Sequence, residues 1–176
     1  ADHAGTTPMK YRKDALFAAA KVLEYLHEEL DKLDPELVYT TGAIVCHPNV
    51  HTVIPDYVDF SLFARHEYPK VIAQVVSIIE NMPKEVAKCK VDYEVAWTRD
   101  TVYYDKTLVG YVQDAVNELG YSNQKINSGA GHDAQFASYM LPTTMVFVPS
   151  KDGHSHCEPE FTSTKQCTMG ASVLLN

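Results

Sequence analysis

The residues best equipped for chemistry crowd into 127–162, NSGAGHDAQFASYMLPTTMVFVPSKDGHSHCEPEFT. His132 follows Gly129-Ala130-Gly131 and precedes Asp133, which places an imidazole beside a carboxylate on a glycine turn. Glycines there permit positive φ and would let backbone N–H groups converge on an anion. His154 and His156 follow an apolar run and a glycine, with Glu158 and Glu160 close behind. Imidazole and carboxylate after a strand end are common zinc-ligand types, and residues two apart share a face of extended chain. His154, His156 and Glu158 could therefore converge on a metal, with a polar surface loop as the competing reading. Cys157 has no base oriented toward it, so thiol nucleophile chemistry is not supported. No GxSxG, Walker or HExxH pattern occurs.

Candidates outside this stretch are fewer. His3 lies in ADHAGTTP, where small side chains allow close approach of a ligand or another chain. Arg65 sits near the end of an alternating strand and points away from the apolar face. His47 and His51 flank Pro48-Asn49 and read as a polar loop tip, while His27 and His66 read as incidental.

These side chains need elements to hold them. Thr7-Pro8 has the form of a helix start, so a helix is predicted over about 8–33 with an apolar stripe from Leu16 to Leu33. Asp34-Pro35 should close it. Residues 37–46 read as a strand with Gly42 as a possible bulge, and 57–66 as a second strand with Val58, Phe60, Leu62 and Ala64 on one face. A helix from Pro69 to about Met82 and a strand over 90–98 follow. With one short strand before the first helix, this is a βαββαβ unit, an antiparallel sheet carrying both helices on one face. Then the pattern changes. A helix capped by Asp105 and stopped by Gly120, a short helix from His132, a buried strand over 143–150 and a last helix near 162–174 are expected. That lone strand needs partners from elsewhere.

Composition sets limits. Apolar residues make up 45% and charged residues 22% of 176, an ordinary globular balance. A net charge of −8 and a pI near 5.4 argue against nucleic acid or an anionic membrane as partner. No run approaches the roughly 20 apolar residues of a membrane helix. The four cysteines form no CxxC pair, and a reducing cytoplasm is the simplest setting. The sequence opens on Ala1 rather than Met, so a piece of a longer protein is expected.

Four segments together resemble the metal-dependent amidohydrolases of the M20 peptidase clan. They are ADHAGTTPMKYRKDAL at 1–16, HPNVHTVIPDYVDFSLFAR at 47–65, SGAGHDAQ at 128–135 and MVFVPSKDGHSHCEPEFT at 145–162. The branch is that of N-carbamoyl-L-amino-acid hydrolase, allantoate amidohydrolase and β-ureidopropionase. The resemblance implies an α+β chain: a βαββαβ, ferredoxin-like lid and dimerisation domain over 1–102, then the C-terminal part of an α/β zinc-peptidase-like catalytic domain over 103–176. It implies two zinc or manganese ions, a small carboxylate substrate and a homodimer formed through the lid. By the same resemblance His156 matches a metal ligand, and His3 the lid histidine that stabilises an oxyanion, commonly in a neighbouring subunit's site. Arg65 matches the arginine that clamps the substrate carboxylate, and the turn at Gly131 and His132 lines the substrate pocket.

The remaining metal ligands and the glutamate base of such enzymes would precede residue 1. The chain alone is therefore expected to be inactive, and a non-enzymatic dimerisation or small-molecule-binding module is the alternative. Three positions depart from the family pattern. Thr52 stands where a substrate-contacting asparagine is usual, Phe63 where an aspartate is usual and Asp56 where a glycine is usual.

Overall fold

Helix α1 spans Ala15–Leu30 and starts at Asp14, whose carboxylate accepts the N–H groups of Leu16 (3.1 Å) and Phe17 (3.2 Å). The structure is a computed structural model that describes all residues 1–176, in two compact units, Ala1–Thr101 and Val102–Asn176. The predicted start at Thr7-Pro8 is wrong. Met9–Tyr11 form a separate 3₁₀ turn, and Arg12 beyond it is extended (φ −64°, ψ 139°). Asp14 satisfies two of the helix's orphan donors, and Arg12 is drawn off the helical path by bonds to upstream carbonyls. Asp14→Ala should cost about 1 kcal/mol of stability. Thr7→Ala should leave the helix untouched, and urea unfolding of the two variants separates these outcomes.

Strands β1 (Asp2–His3), β2 (Val38–Thr40), β3 (Ile44–His47), β4 (Val53–Ile54), β5 (Tyr57–Phe60) and β6 (Phe63–Arg65) frame the first unit. β2 pairs with β6 and β3 with β5, so two long segments form one antiparallel ribbon. From Thr40 to Ile44 the first segment advances four residues, while its partner advances three, from Phe63 to Phe60. One extra residue is therefore accommodated around Gly42, which makes a β-bulge. Ser61 N–H donates to the Ala43 carbonyl (3.0 Å) and Ala43 N–H to Ser61 Oγ (3.1 Å), which stitches the bulge closed. The extra residue also switches parity: Leu37 and Tyr39 turn inward before it, Cys46 after it.

Helix α2 (Pro69–Asn81) joins α1 on one face of the ribbon. Leu30, Leu37, Val71 and Val75 pack with Leu62 and Ala64. Val22, Leu26 and Met82 pack with Phe60 and Leu62. This is the face that strict alternation along 57–66 marks out. The predicted continuous sheet is absent. Every ladder is two-stranded: β1 with β4, β2 with β6, β3 with β5, and a small hairpin of β7 (Glu85–Val86) with β8 (Cys89–Lys90). Residues 91–98 carry a strand pattern but no strand, because no neighbouring segment offers a row of backbone groups to pair with.

The second unit is built on α3 (Lys106–Glu118), α4 (Asp133–Ala137) and α5 (Thr164–Leu175). Asp105 caps α3 by accepting Leu108 N–H at 2.9 Å, and Gly120 ends it at φ 68°. Ser163 and Gln166 form a capping box on α5. Ala115, Val116 and Val173 make its small core, with Val112, Leu119, Tyr121 and Val146 against them. Gly170 is required by close packing, since a Cβ there would lie 2.5 Å from Val148 Cγ1. The buried strand predicted over 143–150 is not formed. Phe147 and Val148 are exposed, and the segment has no ladder partner.

Candidate functional site

His3 is placed by backbone on both sides. β1 pairs it with Val53, and Ala4 N–H donates to the Thr52 carbonyl at 2.8 Å. Two residues that share no sequence neighbourhood, His3 and Thr52, thus lie side by side at one end of the first unit. The His3 ring is exposed, and its Nδ1 accepts Gly5 N–H at 3.0 Å. The His3 carbonyl accepts from Thr6 (3.3 Å) and Thr7 (3.2 Å), so the chain turns tightly around it.

Arg65 closes β6 opposite Val38 and is half-buried. Its guanidinium lies over the Phe63 ring, 4.5 Å from the centroid, and Phe63 in turn packs on Trp97 at 5.8 Å. Arg99 lies over Trp97 at 5.2 Å. Where the family pattern has a carboxylate at 63, this chain uses an aromatic face to orient the cation.

The two groups are far apart. Ala15, the first residue of α1, donates to the Pro55 carbonyl at 3.0 Å, which fixes the Thr52–Pro55 end at the helix N-terminus. Arg65 lies at the other end, where α1 has finished and Asp34 meets His66. The intervening helix has 16 residues, or about 24 Å at 1.5 Å per residue.

The second unit holds the remaining candidates. His132 precedes α4, its Nε2 is 2.8 Å from Ser128 Oγ, and its ring meets Phe147 edge-on at 5.4 Å. Gly129 and Gly131 do not adopt positive φ; Gly120 and Gly153 are the glycines that do. The predicted anion nest is therefore not formed, and α4, five residues long, is too short to supply a helix-end field. His156 has φ 57°, and its N–H donates to Glu160 Oε2 at 2.8 Å. That left-handed residue breaks the extended geometry in which His154, His156 and Glu158 were to converge. No group of three or more His, Cys, Asp or Glu side chains could hold a metal ion.

Sequence reasoning passed over several contributors. His66 is not incidental: its side chain is 2% exposed, Nδ1 accepts Tyr68 N–H at 3.0 Å and Nε2 lies 3.2 Å from Asp34 Oδ1. The Glu36 N–H, then His66, hold the Asp34 carboxyl below its usual range. His27 and Asp31 both bond the Tyr39 hydroxyl, and burial, then the Asp31 bond, push that phenol up to about 12. Arg12, unremarked in the sequence, donates Nε to the Thr7 carbonyl at 2.9 Å and Nη2 to the Ala4 carbonyl. An arginine among charged neighbours gives no sequence signal of such a brace.

Comparison with known proteins adds a family. The sequence model described as Peptidase family M20/M25/M40 matches residues 17–176. An allantoate amidohydrolase of Bacillus subtilis is 37% identical over 98% of this chain and 43% of the relative. An N-carbamoyl-L-amino-acid amidohydrolase of Paenarthrobacter aurescens is 33% identical over 99% of this chain and 43% of its own length. Among solved structures, an amidase of the hydantoinase/carbamoylase family from Burkholderia vietnamiensis superposes with a TM-score of 0.83. It is 35% identical and covers 98% of this chain and 43% of that one. The chain therefore spans about 43% of the length of these relatives.

Proposed function

Because the chain belongs to peptidase family M20/M25/M40, we propose that it supplies the recognition part of an amidohydrolase acting on allantoate or an N-carbamoyl amino acid. The reaction would cleave a linear C–N bond of the ureido or carbamoyl group. The observation that carries this reading is near-complete coverage of the chain by relatives bearing those two names. A ferredoxin-like lid over 1–102 and part of a catalytic domain over 103–176 is the architecture that goes with it.

Each candidate residue then has a task. Arg65 clamps the substrate carboxylate, for which a planar five-donor fork is suited. His3 donates a hydrogen bond to the oxygen that gains charge as the ureido carbon is attacked. Thr52 offers a hydroxyl next to His3, and the Gly131–His132 turn lines the pocket.

Two zinc or manganese ions would supply the activated water in such an enzyme. This chain's own side chains do not fit that pair, since they form no three-ligand group. His156 is assigned as one ligand, with the others provided by chain outside these residues. The 176-residue chain supplied with zinc or manganese should turn over neither allantoate, N-carbamoyl-β-alanine nor N-carbamoyl-L-amino acids at a measurable rate. Robust metal-dependent turnover by it would contradict the assignment.

The separation of His3 and Thr52 from Arg65 bears on the assembly. With α1 between them, one copy cannot bring both ends to a small ureido acid. A homodimer in which one copy's His3 meets substrate held by the other copy's Arg65 resolves the geometry. A cytoplasmic setting is in keeping with four unpaired cysteines. No helix is long and apolar enough to cross a membrane, and the acidic charge disfavours nucleic acid as partner.

The lack of a three-ligand group also favours a second reading, a binding or dimerisation module that has kept the fold without the chemistry. A substrate panel and metal analysis on the active full-length protein separate the two. Stoichiometric metal with turnover of a ureido or carbamoyl acid supports the enzyme, and carboxylate binding without turnover supports the module.

A further inference from the structure

Building on the reading of His3 as an oxyanion donor, we propose that Gly5 and Arg12 are positioning residues that hold the His3 imidazole as its Nε2-protonated tautomer. A neutral imidazole carries one proton, and a ring nitrogen that accepts a hydrogen bond cannot be the one carrying it. His3 Nδ1 accepts Gly5 N–H at 3.0 Å, so the proton resides on Nε2, the nitrogen left to donate. Without that bond the ring would be able to exchange tautomers and rotate, and an Nδ1-protonated ring offers a lone pair where the oxyanion needs a donor.

Gly5 serves by what it lacks as well as by its amide. A Cβ there would lie 3.1 Å from His3 Cε1 and 3.4 Å from Nδ1, so the ring rests against the bare Cα. An alanine would push the ring aside and lengthen the bond that selects the tautomer.

Arg12 holds the turn that presents this amide. Its Nη2 donates to the Ala4 carbonyl and its Nε to the Thr7 carbonyl at 2.9 Å, so one guanidinium bridges the chain on both sides of Gly5. Both bonds are partly buried. The Ala4 N–H bond to Thr52 ties the same turn to β4. A lysine has a single nitrogen on a flexible stem and cannot reproduce two donors in a fixed plane.

The test is the nitrogen state of His3 in ¹⁵N-histidine-labelled chain, at a pH where the ring is neutral, with the signal identified by its loss in His3→Gln. The expected spectrum has Nδ1 unprotonated and Nε2 protonated. Gly5→Ala and Arg12→Met should move both nitrogens toward a tautomer mixture, and Arg12→Lys should fall between. In the active enzyme, Gly5→Ala and Arg12→Met should lower kcat about tenfold, less than the 10²–10³ expected for loss of an oxyanion donor, with KM little changed. A wild-type ring protonated on Nδ1, or nitrogen shifts unchanged in the variants, overturns the proposal. If Gly5→Ala fails to fold, Arg12→Lys gives the same decision. Full activity in His3→Gln would instead remove the oxyanion role, while the nitrogen shifts still judge the positioning.

Discussion

Replacing His3 by glutamine should lower kcat of the active enzyme about 10²–10³-fold, the usual cost of losing one oxyanion donor. KM should change little, because the bond is made to charge that develops only as the carbon is attacked. The ring is suited to this. It is exposed at the end of a two-residue strand, its Nδ1 is occupied by the Gly5 amide and its carbonyl is held by two further amides. Little reorganisation is needed at the moment of reaction. A rise in KM at constant kcat would mean that His3 binds the ground state instead. Steady-state kinetics on the purified variant checks this.

Arg65 should show the opposite pattern. Hydrogen bonds to charged groups contribute about 1.5–3 kcal/mol, and each 1.4 kcal/mol is a factor of ten. Arg65→Met should therefore raise KM about 10–100-fold, with kcat changed much less. Arg65→Lys keeps the charge and loses the bidentate fork, so it should sit near the lower figure. The stacked Phe63 and Trp97 rings hold the guanidinium without fixing a carboxylate at position 63, where the family pattern has one. Substrate competition by simple carboxylates should weaken in parallel with KM if the clamp is real.

The local signals in the sequence were of uneven value, for identifiable reasons. Alternation along 57–66 located the face that α1 and α2 cover, because period-two burial is a direct consequence of the pleat. Gly42 marked the bulge, since an extra residue in one strand is accommodated most easily where no Cβ interferes. Asp105, Gly120 and the last helix were legible because caps are written in single residues. Thr7-Pro8 misled for the same reason: it is a good helix start in isolation, and Asp14 is a better one seven residues on. The strand patterns at 90–98 and 143–150 showed what their side chains favour, but a strand also needs a neighbour, which side-chain patterning does not specify.

The candidate site was legible in residue types and less so in arrangement. His3 and Thr52 are distant in sequence and adjacent on the β1–β4 ladder, a pairing that spacing alone cannot reveal. His66 looked incidental because burial of a histidine depends on the Asp34 carboxylate that meets it. His154, His156 and Glu158 looked convergent only while the chain was taken as extended, and φ of 57° at His156 removes that premise. Arg12 carried no signal at all.

The account rests on a site completed by two copies, with the His3 end of one meeting the Arg65 end of the other. Mixing His3→Gln and Arg65→Met enzymes after subunit exchange, assayed below KM, tests this most directly. In a two-fold dimer half of the molecules become mixed and each has one intact site of two, so activity should recover to about a quarter of wild type. A mixture no more active than its separate components would contradict the shared site and return both residues to a single copy.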